Sequence, residues 1–97
     1  MKSLEQIKKS LLTLKPKLRK RYGVTEIGVF GSCVRGEQKT QSDIDIYVDY
    51  NETPSLLAIV DLENYLSDEL KEKVDLVPRE CIRPELEKYI LPEIVKI

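Results

Sequence analysis

The order of hydrophobic and polar positions predicts helices that alternate with short strands. Ser3 and Gln6 have the spacing of a capping box, so a first helix begins there. Apolar residues follow at helical spacing: Leu4, Ile7, Leu11 and Leu14. Because proline is disfavoured inside a helix, Pro16 predicts a second helical piece, which ends at Gly23.

Three short segments have the pattern of strands. Residues 24–30 are predicted to form a buried strand, and residues 74–78 a short strand that ends in proline. Between residues 43 and 48 polar and apolar side chains alternate, which places Asp43, Asp45 and Tyr47 on one face and leaves the other face dry.

Two more helices complete the pattern. Thr53 and Pro54 predict an N-cap and a first helical position, and the helix is expected to end near Glu72. Its mostly apolar stripe comprises Leu56, Ile59, Val60, Glu63, Leu66 and Leu70. A last helix opens at Pro84 and is interrupted by Pro92. The fold class predicted is α/β (α+β), a small mixed sheet of three to four strands flanked by helices.

Composition limits the chemistry available to this chain. Its 97 residues suffice for one modest core, so we expect a single domain over residues 1–97. The absence of His excludes Ser-His-Asp and Cys-His catalysis and zinc sites that use His. The longest apolar run, residues 56–60, is far too short to span a bilayer, so we expect no membrane partner. Cys33 and Cys81 belong to no CxxC pair, so we expect both to be reduced in a cytoplasmic protein.

Charge is unevenly distributed along the chain. Residues 1–22 contain eight basic residues and one acidic residue, whereas the remainder carries a net charge of -8. This basic segment is either a solvated helix face or a rim that faces phosphates or an acidic partner.

Three aspartates are candidates for chemistry. Asp43 and Asp45 lie two apart on one strand face, where they repel each other unless a cation lies between them, although the wet face of an edge strand would look the same. Asp75 has apolar neighbours in another strand, and a buried carboxylate needs a partner or a cation. Carboxylates suit Mg²⁺, and the Gly31-Ser32 turn can offer backbone N–H groups to phosphates.

The residues that carry these features resemble a known family. The stretches 31–36 (Gly-Ser-Cys-Val-Arg-Gly) and 42–46 (Ser-Asp-Ile-Asp-Ile), with ten residues between Ser32 and Asp43, resemble the signature of the DNA polymerase β-like nucleotidyltransferase superfamily. The stretch 74–79 resembles the third-carboxylate strand of its minimal nucleotidyltransferases. The resemblance spans essentially the whole chain and implies the polymerase β-like nucleotidyltransferase fold.

This resemblance implies a role for each matching residue. Asp43 and Asp45 would hold two Mg²⁺ ions, and Asp75 would bind the ion that activates the attacking hydroxyl and help to take its proton. The remaining matching residues are assigned to the nucleotide ATP. Gly31 and Ser32 would hold its β and γ phosphates, Arg35 would assist at the phosphates or at the partner surface, and Ser42 would order the entry to the strand.

Three functions from different classes follow. Minimal nucleotidyltransferases resemble antitoxins that transfer AMP to a tyrosine of an adjacently encoded, helical HEPN-type toxin ribonuclease. A nucleotidyltransferase of the aminoglycoside-modifying type would use a small hydroxyl compound instead. A non-catalytic antitoxin would mask its partner by binding alone, but three clustered acids are not required for stability. Direct binding of nucleic acid is not expected.

Overall fold

The computed structural model describes residues 3–31, 43–52 and 54–97. Its helices in these ranges are α1 (Leu4–Tyr22), α2 (Leu56–Leu70) and α3 (Pro84–Ile90). Its strands are β1 (Val24–Phe30), β2 (Ile44–Tyr50), β3 (Val74–Pro78) and β4 (Val95–Lys96). Single turns of 3₁₀ helix, Arg79–Cys81 and Leu91–Glu93, lie on either side of α3.

The strands form one mixed sheet in the order β3-β2-β1-β4. Strand β1 runs antiparallel to both β2 and β4, whereas β2 and β3 run parallel. The predicted fold class, a small mixed sheet flanked by helices, is confirmed. The sequence pattern revealed three of these strands but not β4, because a strand of two residues is too short to show alternation.

The hydrophobic core lies between the sheet and the pair α1 and α2. Helix α1 contributes Ile7, Leu11, Leu14 and Leu18, α2 contributes Leu62, Leu66 and Leu70, and β2 contributes Ile44, Ile46 and Val48. The helices therefore cover one face of the sheet, while the polar residues of β2 lie on the other. Among the described residues, no helix combines the length and the apolar character that a membrane span requires.

Helix α1 is continuous, so the prediction of a break at Pro16 was wrong. The capping box is present, since the N–H of Gln6 reaches Ser3 Oγ at 3.3 Å and the N–H of Ser3 reaches Gln6 Oε1 at 2.9 Å. Gly23 ends the helix in the left-handed conformation, as predicted. Leu14 and Leu18 are buried on either side of Pro16, and this packing offsets the hydrogen bond that proline removes.

The C-terminal end of α1 is attached to α2 through Asp61. The hydroxyl of Tyr22 donates to Asp61 Oδ2 at 2.7 Å, and Arg21 lies 3.5 Å from the same oxygen. Burial, followed by this hydrogen bond, raises the pKa of Tyr22 to about 12, so the hydroxyl stays a donor at neutral pH. Asp61 therefore joins the two helices.

Helix α2 begins later than predicted and buries a different set of residues. Ser55 is its N-cap and accepts from the N–H of Ala58 at 3.2 Å, so Pro54 precedes the cap. Leu62 is buried although the predicted stripe omitted it, whereas Leu56 and Val60, which the stripe included, are 77% and 49% exposed. Leu57 is 82% exposed. The helix ends at Leu70 rather than near residue 72.

This burial predicts a sharp contrast between two identical substitutions in α2. Leu66→Ala should lower the free energy of unfolding by about 2–5 kcal/mol, because Leu66 is fully buried and its loss leaves a cavity. Leu57→Ala should change it by less than about 0.5 kcal/mol, because this side chain is already exposed. Urea unfolding of both variants measures the difference, and equal losses would contradict the assigned core.

Candidate active site

The centre of the candidate site is β2, an inner strand of the sheet. Asp45 lies on the face opposite the helices and is half-buried, while its neighbours Ile44 and Ile46 are 1% and 0% exposed on the helix side. The predicted alternation is therefore confirmed. Because β2 lies between β1 and β3, the wet face of an edge strand does not explain these acids.

Asp75 lies beside Asp45 on the neighbouring strand. The two residues are in register in the parallel pair of β2 and β3, so they share a face of the sheet. Neighbouring strands are about 4.8 Å apart, which brings the two carboxylates close together. Asp75 is exposed, so the expectation that it is buried was wrong, because β3 is the edge strand and its outer face is open at this position.

Two polar side chains of α2 hold β3 in place around Asp75. Ser67 Oγ accepts from the N–H of Val74 at 3.1 Å, and Glu63 Oε2 accepts from the N–H of Leu76 at 3.2 Å. An edge strand otherwise leaves such groups without protein partners. Sequence reasoning missed both residues and assigned Glu63 to an apolar stripe, since a polar residue inside a helical stripe gives no sign of its partner.

Gly31 makes close contact with Asp45 at the end of β1. Its φ of +77° belongs to the left-handed region, which a residue with a side chain rarely adopts. A Cβ atom built on Gly31 would collide with Asp45 Oδ2 and would lie 3.1 Å from its Cγ. Glycine is therefore required here for two reasons, its backbone conformation and the space that the carboxylate occupies.

Asp43 lies just before β2 and faces a lysine that sequence reasoning missed. Lys73 Nζ is 3.9 Å from Asp43 Oδ2, and the carbonyl of Lys73 accepts from the N–H of Ile44 at 2.9 Å. The side chains of Asp43 and Lys73 are 38% and 81% exposed, so this ion pair contributes little to stability. The sequence contains a signal for this lysine, because Lys73 directly precedes the strand that carries Asp75.

The donor set fits a hard divalent cation, although the acids are not gathered around one point. Among the described residues, no three acidic or sulfur groups stand close enough together to hold a metal ion. Asp45 and Asp75 nevertheless present carboxylate oxygens side by side, and like charges so placed favour a cation between them. Oxygen ligands of this kind suit Mg²⁺ better than softer metals.

A hydrogen-bonded network lies on the same face, further along β2. Tyr47 is 1% exposed, its hydroxyl donates to Glu26 Oε2 at 3.4 Å, and it accepts from Arg79 Nη1 at 3.3 Å. Lys96 lies 3.5 Å from Glu26. The hydrogen bond to Tyr47 raises the pKa of Arg79 above its ordinary value. The network therefore links β1, β2 and β4 with Arg79, which follows β3.

Three residues of the predicted site lie outside the described residues. These are Ser32, Arg35 and Ser42, which follow Gly31 and precede Asp43 in the chain. The structure thus brings Gly31, Asp45 and Asp75 together and places Asp43 at the entry to the same strand.

Comparison with known families and sequences gives full-length matches. The model of the nucleotidyltransferase domain matches residues 6–97. A protein of Thermococcus cleftensis named protein adenylyltransferase MntA is 48% identical over 97 residues, which cover 100% of this chain and 98% of that protein.

Solved structures share the fold. A structure described as a candidate minimal nucleotidyltransferase has a TM-score of 0.83 at 30% identity and covers 99% of this chain and 97% of its own. A toxin-antitoxin complex with AMP-PNP has a TM-score of 0.75 at 28% identity, covering 91% and 69%. A complex of the tri-AMPylated Shewanella oneidensis HEPN toxin with its MNT antitoxin has a TM-score of 0.68 at 23% identity, covering 93% and 70%, and shows likeness of fold alone.

The contact between Gly31 and Asp45 predicts an energetic coupling between them. Gly23 offers a matched control, because it has a similar φ of +71° but nothing within 4 Å of an added Cβ. Gly23→Ala should cost about 1 kcal/mol for the backbone alone. Gly31→Ala should cost clearly more, because the carboxylate must also move.

A double-mutant cycle isolates this coupling. In an Asp45→Ala background the colliding carboxylate is absent, so Gly31→Ala should cost about as much as Gly23→Ala. Urea unfolding of the four Gly31 and Asp45 combinations measures the coupling. A cost of Gly31→Ala that does not fall in the Asp45→Ala background would show that the close contact is unimportant.

Proposed function

Because the chain belongs to the nucleotidyltransferase domain family, we propose that it transfers AMP from ATP to a tyrosine hydroxyl of a HEPN-type toxin and thereby acts as an antitoxin. Support comes from a relative named protein adenylyltransferase that matches over its full length. Structural neighbours include a toxin-antitoxin complex with AMP-PNP and a complex that contains an AMPylated HEPN toxin. We expect the reaction to take place in the cytoplasm, where ATP and a toxin ribonuclease would meet.

The pairing of Asp45 with Asp75 is the observation on which this proposal depends. Both carboxylates lie on the open face of the sheet, and Asp43 lies two residues before Asp45. We assign all three to the binding of two Mg²⁺ ions. When bound, Mg²⁺ neutralises the carboxylates and the triphosphate and stabilises charge on the oxygens around the transferred phosphorus.

The nucleotide is assigned to the end of β1. Gly31 leaves room for the carboxylate of Asp45, and we assign its backbone N–H to the phosphate chain. Ser32 is assigned to the β and γ phosphates with Gly31, Arg35 to the phosphates or the partner surface, and Ser42 to the entry of the strand. This arrangement would place the α-phosphorus of ATP near the paired carboxylates.

The reaction itself is a single displacement at phosphorus. The acceptor oxygen forms a bond to the α-phosphorus while the bond from that phosphorus to the bridging oxygen of the β-phosphate breaks, and pyrophosphate leaves. We assign Asp75 to accept the hydroxyl proton. Its carboxylate is exposed on the edge strand, so a tyrosine of another protein can reach it from solvent.

Two other functions compete with this assignment. A small-molecule nucleotidyltransferase would use the same acids with a soluble hydroxyl compound. A masking antitoxin would silence its partner without chemistry and would not need the acids at all. Transfer of AMP to the purified protein partner separates all three.

Removal of one carboxylate should abolish transfer without unfolding the chain. Asp45→Asn keeps the shape of the side chain but removes its charge, so the rate should fall by about two orders of magnitude or more. Asp68→Asn is the control, because Asp68 is exposed on α2 and away from the paired acids. Each protein is incubated with the adjacently encoded helical partner, ATP and Mg²⁺, and the partner is weighed by intact-mass spectrometry.

The expected result is an added AMP on the partner with wild type and Asp68→Asn only. Thermal melts should show that Asp45→Asn remains folded. If no protein adds AMP, yet all of them inhibit the partner ribonuclease equally, the masking function is correct. If AMP appears on a small hydroxyl compound but not on the protein, the small-molecule function is correct.

A further inference from the structure

A groove runs along α1 on the side next to β1 and β4. It consists of two adjoining hollows of about 410 and 330 Å³ that share Leu12. The first hollow also includes Arg19 and Lys20, and the second includes Lys9 and Lys96. We call this feature the basic groove. It is separate from the paired acids, which lie on β2 and β3.

The basic groove carries an excess of positive charge that the protein does not neutralise. Six of its lining residues are basic (Lys8, Lys9, Lys15, Arg19, Lys20 and Lys96), and one, Glu5, is acidic. Lys96 is paired with Glu26, Lys8 lies 4.0 Å from Glu5, and Lys15 Nζ donates to the carbonyl oxygen of Ile97 at 2.8 Å. Lys9, Arg19 and Lys20 form no ion pair with any described residue. An unpaired basic surface of this kind favours an acidic ligand.

The floor of the basic groove is aliphatic. Leu12 is 62% exposed between the two hollows, and Pro16 and Val24 line the first of them. No aromatic residue lines either hollow among the described residues, so a stacking surface for nucleotide bases is absent there. Apolar contact flanked by cations therefore favours a protein segment over a single-stranded nucleic acid.

The spacing of these residues identifies the form of the ligand. Lys9, Leu12, Pro16 and Arg19 follow one another at intervals of three and four along α1, so they share one face of the helix. That face extends about 15 Å, the length of roughly three helical turns. A helix of that length with an apolar stripe between acidic residues would match both the floor and the cations.

We propose that the basic groove is a docking site for an acidic amphipathic helix of a partner protein. The aliphatic side chains of that helix would pack on Leu12 and Pro16. Its carboxylates would face Lys9, Arg19 and Lys20. This inference goes beyond the proposed function and does not depend on transfer of AMP, because it uses none of the residues assigned to nucleotide or metal.

A synthetic helix tests the docking site directly. The probe is a fluorescent, capped peptide of about 14 residues made of Glu, Ala and Leu, with Leu at helical intervals of three and four. A scrambled peptide of the same composition and a single-stranded RNA of similar length and charge are the comparisons. Fluorescence anisotropy with the full chain at about 0.15 M ionic strength gives the affinities.

The amphipathic peptide should bind at least about tenfold more tightly than the scrambled peptide or the RNA. Arg19→Glu with Lys20→Glu should weaken its binding roughly tenfold or more, and Leu12→Ser roughly fivefold. Lys88→Glu, an equally exposed reversal on α3, should leave binding unchanged. Glutamates at positions 19 and 20 lie near the C-terminal end of α1, where they interact unfavourably with the helix dipole. Lys9→Glu lies in the first half of α1 and is therefore a second variant that tests the groove.

Three outcomes would overturn the docking site. Equal binding of the scrambled peptide would show attraction by charge alone, and tighter binding of the RNA would identify a nucleic acid surface. A dimer in analytical ultracentrifugation that Lys9→Glu disperses would show that a second copy of the chain occupies the groove.

Discussion

The register between β2 and β3 is the constraint on which the candidate site depends. It places Asp45 directly beside Asp75, although two like charges at that separation repel each other. The helix-facing side chains of the same strands overcome this repulsion, because a slip of one residue would turn Ile44 and Ile46 away from the core. Burial of the hydrophobic face thus holds the two carboxylates close together, an arrangement that favours a cation between them.

Other contacts of the site follow from that register. Ser67 and Glu63 bind the backbone N–H groups on either side of Asp75 and hold the edge strand against α2. Gly31 lacks a side chain where the carboxylate of Asp45 lies. Gly31 at the end of β1 and two side chains of α2 therefore support the two acids.

Local features of the fold could be predicted from the sequence, whereas long-range partners could not. The capping box of Ser3 and the helix end at Gly23 depend on neighbours within a few residues, and both are present. The prediction at Pro16 was wrong because α1 is stabilised by core packing with residues distant in sequence. The N-cap of α2 is Ser55 instead of the predicted residue, Thr53. The face on which Asp45 lies could be predicted from the alternation of polar and apolar residues. Its pairing with Asp75 joins residues thirty positions apart, so this pairing was predicted only through the resemblance to a family.

We propose that Asp45 and Asp75 share a divalent cation when nucleotide is bound. Crystals grown with Mn²⁺ and a nonhydrolysable ATP analogue, measured at a wavelength where manganese scatters anomalously, locate that ion. The account predicts an anomalous peak within about 2.3 Å of carboxylate oxygens from both residues, beside the phosphates of the analogue. Bound analogue with no peak between Asp45 and Asp75 would contradict it.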